Sequence, residues 1–163
     1  MTIKTGDMFP DVTLKVLGDN GMEDMNTKAF LSGKKVVLFA VPGAFTPSCS
    51  QKHMPGYVAK YDEIRAQGID AIVCLSVNDP FVMKQWATVS GALGKITMWP
   101  DGNATLVEAL GLTLDASGFG LGKRAQRFSM IIDNGKVTDL QVEPVAGEVE
   151  LSGADACLAR IAA

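Results

Sequence analysis

KVVLFAV, residues 35–41, is a short apolar run rich in β-branched side chains, and GIDAIVCLSV, residues 68–77, is a second one. Runs of this length and composition are typical of strands that are buried on both faces of a sheet. Between them, apolar residues recur at helical spacing from Met54 to Ile64, and Gly68 ends the pattern. A strand, a helix and a strand in succession form a right-handed parallel crossover. The sequence therefore predicts an α/β fold with a partly parallel sheet.

The next part of the chain continues the alternation of helices and strands. Residues 78–80, Asn-Asp-Pro, offer a helix N-cap followed by proline at the first helical position. A short strand is expected over 96–99 and a helix over 106–110. Residues 112–126 contain three glycines and little periodicity, so we predict a long functional or packed loop there.

The C-terminal third is predicted to form a hairpin and a closing helix. Apolar residues 128–132 and residues 136–140 flank an Asn-Gly pair, which fits a tight type I′ turn. Ser152 and Asp155 resemble a capping box at the start of a final helix. A central βαβ unit followed by a hairpin and a helix predicts a thioredoxin-like fold, with a central mixed sheet flanked by helices.

Length and composition limit the possible functions. The 163 residues, 47% of them hydrophobic, suit one domain over 1–163 and exclude disorder along most of the chain. A net charge of -3 makes nucleic acid and anionic membranes unsuitable partners. The N-terminus lacks the pattern of a signal peptide, and no apolar run approaches the ~20 residues of a membrane span, so a cytoplasmic location is expected. Three scattered cysteines and one histidine do not make a usual zinc ligand set, and we expect no metal or other cofactor.

Cys49 stands where the first buried strand gives way to a helix. Free N–H groups and the macrodipole at a helix N-terminus favour an anion, and so favour the thiolate. Pro42 and Pro47 stiffen the loop, and Thr46 can turn its hydroxyl towards the sulfur. Most free cysteines are simply small buried apolar residues. Threonine, serine and two prolines are poor core residues, however, so the loop favours a reactive thiol.

The same residues resemble a known family. Pro42-x-x-x-Thr46-x-x-Cys49 matches the PxxxTxxC signature of peroxiredoxins, and the surrounding PGAFTPSCS resembles their type II branch, which includes plant type II and mammalian mitochondrial and peroxisomal enzymes. Three further segments are similar to that branch, namely HMPG (53–56), LSVNDPFV (75–82) and RFSM (127–130). The resemblance covers nearly the whole chain.

The resemblance implies a thiol-dependent peroxidase that reduces hydrogen peroxide and small organic hydroperoxides through a cysteine sulfenic acid. Cys49 would be the peroxidatic residue, whose thiolate attacks one peroxide oxygen. Thr46 would hydrogen-bond the peroxide, Pro42 would shield the sulfur from water, and Arg127 would hold the thiolate and polarise the O–O bond. The backbone N–H groups of Cys49 and Gly43 would stabilise charge on the leaving oxygen.

Two other basic side chains near these segments are expected to have lesser roles. His53 lies four residues after Cys49, and a structural role in the pocket is favoured for it because the chemistry needs a thiolate and a donor rather than a general base. Arg124 is expected to be a solvated or phosphate-attracting loop charge.

The thiol that reduces the sulfenic acid is the main open question. Cys74 lies in strand sequence where plant members of the branch have a second cysteine, but it is inside an apolar run, and Cys157 lies on the apolar face of the last helix. We expect both to be packed in the core. Reduction would then fall to an external thiol, either glutathione with glutaredoxin or thioredoxin.

The resemblance also implies a homodimer, for which Phe45, Phe81 and Phe119 are candidate patch residues. A disulfide oxidoreductase is disfavoured because Thr46 stands where a CxxC motif has its first cysteine. A non-catalytic redox sensor or holdase that uses the same reactive cysteine stays open as the alternative. Repeated turnover of peroxide distinguishes the enzyme from the sensor.

Overall fold

The structure, a computed structural model, describes residues 1–162. The strands are β1 (Thr13–Gly18), β2 (Gly21–Asn26), β3 (Lys35–Ala40), β4 (Ala71–Ser76), β5 (Ile96–Pro100), β6 (Thr113–Asp115), β7 (Lys123–Ala125), β8 (Phe128–Asp133) and β9 (Lys136–Val142). The helices are α1 (Thr27–Leu31), α2 (Met54–Ala59), α3 (Tyr61–Ala66), α4 (Pro80–Val89), α5 (Thr105–Leu110) and α6 (Ala154–Ala162).

The central sheet has five strands in the order β5-β4-β3-β8-β9. β3 pairs with β4 and β4 with β5 in parallel, whereas β8 is antiparallel to both β3 and β9. The mixed sheet and the parallel crossover from β3 to β4 agree with the predictions. Because β3 is the middle strand, the loop that leaves its carboxyl end lies at the centre of one edge of the sheet.

Both faces of the sheet are covered, as the continuous apolar runs predict. Leu38 and Val73 lie on the face that packs against α1 and α5. Phe39 and Cys74 lie on the other face, in the core cluster shared with α2, α3, α4 and α6, and Cys49 belongs to the same cluster. Alternate residues of one strand therefore enter different cores.

Two local predictions are confirmed in detail. Asp79 caps α4, because its Oδ1 accepts a hydrogen bond of 2.9 Å from the backbone N–H of Val82. Asn134 and Gly135 connect β8 to β9 with φ values of 48° and 83°. Positive φ at both central residues is what a type I′ hairpin turn requires.

The predicted helix after Cys49 is interrupted. It begins as a π-helical turn, Cys49–His53, in which the N–H of Met54 donates to the carbonyl of Cys49, and α2 and α3 follow it as separate short helices. Pro55 stands at the start of α2 and has no N–H to donate. A helix that meets a proline here loses one i to i−4 bond, and the wider turn lies directly before it.

Three other elements differ from the sequence prediction. The segment 112–126, predicted as a long functional or packed loop, contains regular structure, because β6 and β7 form a small antiparallel pair around a 3-10 turn at Ser117–Phe119. The β1–β2 hairpin and α1 were not predicted.

Within residues 1–162, no helix has both the length and the apolar character needed to span a bilayer.

Candidate active site

Cys49 begins the π-helical turn beyond β3, and its side chain is fully buried. The loop before it is closed by backbone bonds from Thr46 N to the carbonyl of Gly43 (3.3 Å) and from Ser50 N to the carbonyl of Thr46 (2.9 Å). Phe45 at the tip has a φ of 65°, which is uncommon for a residue with a large side chain. The loop thus folds back tightly and holds the sulfur at the start of the turn.

Arg127 reaches this sulfur from the segment between β7 and β8. Arg127 is only 2% exposed, and its Nη2 donates to Cys49 Sγ at 3.0 Å. Nη1 bonds to His53 Nδ1 at 2.8 Å, and Nε donates to the carbonyl of Ala146 at 2.7 Å. Because arginine keeps its proton in proteins, a permanent positive charge lies in contact with the sulfur.

His53 is held in one tautomer by its two neighbours. Arg127 can only donate, so His53 Nδ1 must be the acceptor, and the carbonyl of Ser152 can only accept, so the 2.9 Å contact to Nε2 requires a proton on that nitrogen. Burial, and then the charge of Arg127, lower the pKa of His53 from 6.5 to about 3. The imidazole is therefore neutral at physiological pH, and it acts as a rigid acceptor for Arg127.

Ser152 is fixed in turn by Glu143. Oε2 of Glu143 accepts from the N–H of Ser152 at 2.7 Å, from its hydroxyl at 2.6 Å, and from the N–H of Glu150 at 2.9 Å. Burial alone favours the neutral acid, but the hydrogen bonds from Ser152 and its neighbours outweigh it and hold the pKa of Glu143 below its ordinary value. The predicted capping box of Ser152 with Asp155 is wrong, because α6 begins only at Ala154 and the N–H of Ser152, which the box would pair with Asp155, donates to Glu143 instead.

Thr46 and Pro42 lie in the loop as the motif predicts. Thr46 is half-buried, and its hydroxyl donates to the carbonyl of Gly43 at 2.6 Å, so its lone pairs remain available to accept from a ligand. Pro42 is buried beside Gly43. A Cβ on Gly43 would lie 3.2 Å from Nη1 of Arg124 and equally close to a methyl of Thr46, so the close packing favours glycine.

The predicted role of Arg124 as a solvated charge is wrong. Its side chain is half-buried, with Nε bonded to the carbonyl of Leu121 at 2.9 Å and Nη1 to the carbonyl of Val77 at 3.0 Å. These bonds connect the β7 segment to the end of β4, where the Arg124 side chain also packs against Gly43. Arg124 thus supports the loop that contains the motif.

The other two cysteines lie in the core next to the site. Cys74 is in the middle of β4 and Cys157 is on α6, and both are fully buried and free. Burial raises the pKa of each thiol. In this conformation both are poor nucleophiles, which is consistent with the predicted packing role.

The residues around Arg127 are the part of the site that sequence reasoning did not find. His53 was singled out, but its contact with Arg127 joins residues 74 positions apart, and Glu143 and Ser152 were given no role in the pocket. The available signals were slight. His53 is the single histidine of the chain, and Glu143 is an acidic residue directly after a strand and before a proline.

Comparison with known proteins agrees with this geometry. The chain matches the Redoxin family over residues 4–158. It is 43% identical over 154 residues to Peroxiredoxin-2B of Arabidopsis thaliana, covering 94% of both chains, and 43% identical over 157 residues to Peroxiredoxin-2C of Oryza sativa, covering 96% of both. The crystal structure of reduced Prx3 from Vibrio vulnificus in complex with H2O2 superposes with a TM-score of 0.93 at 48% identity, covering 98% of this chain and 99% of that one.

The matches extend over almost the full length of the chain and of its relatives, and they confirm the thioredoxin-like fold with its mixed sheet. They also confirm the resemblance that the PxxxTxxC motif indicates. With a buried cysteine at the start of a helical turn and an arginine on its sulfur, the chain belongs to the peroxiredoxins of the Redoxin family and is a thiol peroxidase.

Proposed function

We propose that Cys49 is the peroxidatic residue of this enzyme and that Thr46, Pro42 and Arg127 complete its catalytic site. The observation that carries the proposal is the 3.0 Å bond from Arg127 Nη2 to the buried Cys49 sulfur. A guanidinium in a site of low dielectric stabilises the thiolate over the thiol, and the thiolate is the nucleophile that peroxide reduction needs.

The reaction is a displacement at oxygen. The Cys49 thiolate attacks the terminal peroxide oxygen, an S–O bond forms, the O–O bond breaks, and the sulfur becomes a sulfenic acid. The leaving oxygen takes a proton that comes from solvent and departs as water or an alcohol. Arg127 and the backbone N–H groups of Cys49 and Gly43 stabilise the charge that develops on this oxygen.

Thr46 orients the peroxide by accepting a hydrogen bond from it. Since its hydroxyl proton is donated to the carbonyl of Gly43 at 2.6 Å, its oxygen is left to accept the O–H of the incoming hydroperoxide. Pro42, buried and without an N–H, presents no competing donor near the sulfur and excludes water. Full burial of Cys49 favours hydrogen peroxide and small organic hydroperoxides, which need little opening of the site.

We propose an external thiol as the reductant, with glutathione and glutaredoxin or thioredoxin as the candidates. The first thiol attacks the sulfenic acid sulfur, releases water and leaves a mixed disulfide, which a second thiol then reduces by exchange. Burial of Cys74 and Cys157, together with the upward shift of both pKa values, supports this choice over an internal disulfide.

We also propose a homodimer formed through an apolar surface beside the site. Phe45, Phe81 and Phe119 are 51%, 63% and 88% exposed. The three segments that contain them are joined by hydrogen bonds, from Ala44 N to Asn78 Oδ1 and from Arg124 to the carbonyls of Leu121 and Val77. Replacing Phe119 with Ser should shift the molecular mass measured by light scattering towards the monomer.

The expected cytoplasmic location stays a prediction, which imaging of a tagged chain tests.

Repeated hydrogen peroxide consumption tests the site and the reductant together. Wild type, Cys49→Ser, Cys74→Ser and Cys157→Ser are each supplied in turn with thioredoxin and with glutathione plus glutaredoxin. Loss of turnover in Cys49→Ser alone supports the proposal. Turnover by Cys49→Ser contradicts the assignment of this residue, and failure of Cys74→Ser or Cys157→Ser identifies an internal resolving thiol. A single reaction without turnover in wild type supports the sensor alternative.

A further inference from the structure

Residues 143–153 connect β9 to α6, and we call residues 143–152 the C-terminal strap. Backbone carbonyls of the strap accept hydrogen bonds from the side chains that surround the sulfur. Ala146 accepts from Arg127 Nε at 2.7 Å, and Gly147 accepts from the hydroxyl of Ser48 at 2.7 Å. The strap thus holds both the guanidinium that touches Cys49 and the residue directly before Cys49.

The end of the strap holds the other side of the guanidinium. The carbonyl of Ser152 accepts from His53 Nε2 at 2.9 Å and from the Tyr57 hydroxyl at 2.7 Å. With Nε2 protonated, the opposite ring nitrogen of His53 has its lone pair directed at Arg127 Nη1, 2.8 Å away. The position of one peptide carbonyl therefore sets which nitrogen of His53 is offered to Arg127.

One carboxylate closes the strap at both ends. Glu143, at its start, accepts three hydrogen bonds from residues 150–152 at its end. The backbone N–H of Glu143 donates to the carbonyl of Arg127 at 2.9 Å. The contacts form a closed circuit that runs from Arg127 through His53 and Ser152 to Glu143 and back to the backbone of Arg127.

We propose that Glu143 is a positioning residue for the peroxidase site, acting through Ser152 and His53 to hold the Arg127 guanidinium against the sulfur of Cys49. Glu143 does not touch the sulfur or the substrate. Its carboxylate fixes Ser152 through the N–H and the hydroxyl, the carbonyl of Ser152 sets the tautomer of His53, and His53 supplies the acceptor that orients Arg127. This inference rests on the proposed role of Cys49 and extends it to a residue 94 positions further along the chain.

The test replaces the carboxylate without changing its shape. Glu143→Gln keeps one carbonyl oxygen but loses the charge that lets a single oxygen accept three bonds. We expect the midpoint pH for alkylation of Cys49 by iodoacetamide to rise by about one unit and the rate constant with hydrogen peroxide at pH 7 to fall about tenfold. Ser152→Ala, which removes only the hydroxyl bond, should raise the midpoint pH by about half a unit and lower the rate constant about threefold.

A spectroscopic readout separates positioning from general loss of stability. The chain has one histidine, so ¹⁵N-labelled protein gives one pair of imidazole nitrogen signals. Wild type should show the neutral Nε2–H tautomer, and Glu143→Gln should show a mixture of tautomers or protonation near neutral pH. The matched control is Asp101→Asn, since Asp101 is also a buried carboxylate that bonds backbone N–H groups, those of Leu106 and Val107, but on the other face of the sheet.

The outcomes are distinct. A changed tautomer and a raised alkylation midpoint in Glu143→Gln, with neither in Asp101→Asn, support the proposal. It is overturned if Glu143→Gln and Asp101→Asn lose similar stability and both keep the wild-type tautomer and midpoint. Cys49→Ser distinguishes the two levels of inference. If that variant is inactive while Glu143→Gln behaves as wild type, the site assignment holds and only the positioning role fails.

Discussion

Acidification from pH 7 to pH 5 should destabilise this protein through His53. The buried imidazole has a pKa of about 3 in the folded chain, and an unfolded chain returns it to 6.5. Between these values the unfolded state binds a proton that the folded state excludes, so the contribution of His53 to stability is complete above pH 6.5 and is lost as the pH falls. Each pH unit below 6.5 costs about 1.4 kcal/mol, so the fall from pH 7 to pH 5 costs about 2 kcal/mol.

The composition of the chain isolates this effect. His53 is its single histidine, so no other imidazole titrates between pH 5 and pH 7. Glu143, whose pKa is lowered from 4.5, loses its contribution only below that range. Asp101, whose pKa is raised from 3.8 by burial, has the opposite sign, because its folded state gains stability on protonation.

Urea unfolding measures the prediction, with the fluorescence of the buried Trp86 and Trp99 as signal and a fixed protein concentration. At an m-value of about 2 kcal/mol/M, the wild-type midpoint should fall by about 1 M between pH 7 and pH 5. His53→Gln offers one acceptor and one donor in similar places but does not titrate, so it should lose much less over the same interval. Equal losses in wild type and His53→Gln would refute the reasoning.

Three further substitutions test the packing of the site. Arg127→Lys should lower the rate constant with hydrogen peroxide about 100-fold, measured by stopped flow, because an ammonium cannot hold the sulfur, the imidazole and a carbonyl in one plane. Gly43→Ala should lower it by about three- to tenfold, since the new methyl meets Arg124 and Thr46 at 3.2 Å, with little change in the circular dichroism spectrum. Cys74→Ser should reduce the unfolding free energy by about 1–3 kcal/mol, measured by urea titration, while turnover with glutaredoxin persists.

The fold could be predicted where the sequence has strong local patterns. The apolar runs of β3 and β4 identify strands without any tertiary information, and Asn134-Gly135 and Asp79-Pro80 specify a turn and a helix start through their own backbone preferences. β1 was missed because most of its residues are exposed or half-buried, so it lacks an apolar run. The Asn20-Gly21 pair beside the turn between β1 and β2 was the signal that could have identified this hairpin.

The site could be predicted only in part, for a different reason. Cys49, Thr46 and Pro42 share one loop, so a motif can identify them. Arg127 contacts Cys49 across 78 positions, and only resemblance to a family brought the two together before the fold was known. The bonds of Glu143 depend on the path of the chain after β9, which has no periodicity to read.

The buried positive charge of Arg127 accounts for the kinds of groups that surround it. Among residues 1–162, no carboxylate lies within 4.0 Å of its guanidinium, and the groups it contacts are a sulfur, a neutral imidazole and a carbonyl. A buried cation without an anion is costly. In the proposed site, the thiolate of Cys49 supplies the counter-charge. A carboxylate in the place of His53 would neutralise Arg127 and weaken its hold on the thiolate. In the proposed reaction, oxidation converts the thiolate to a neutral sulfenic acid, and Arg127 loses its counter-charge. The buried, unpaired cation then destabilises the closed conformation of the oxidised enzyme. This is the state that must open to the reductant.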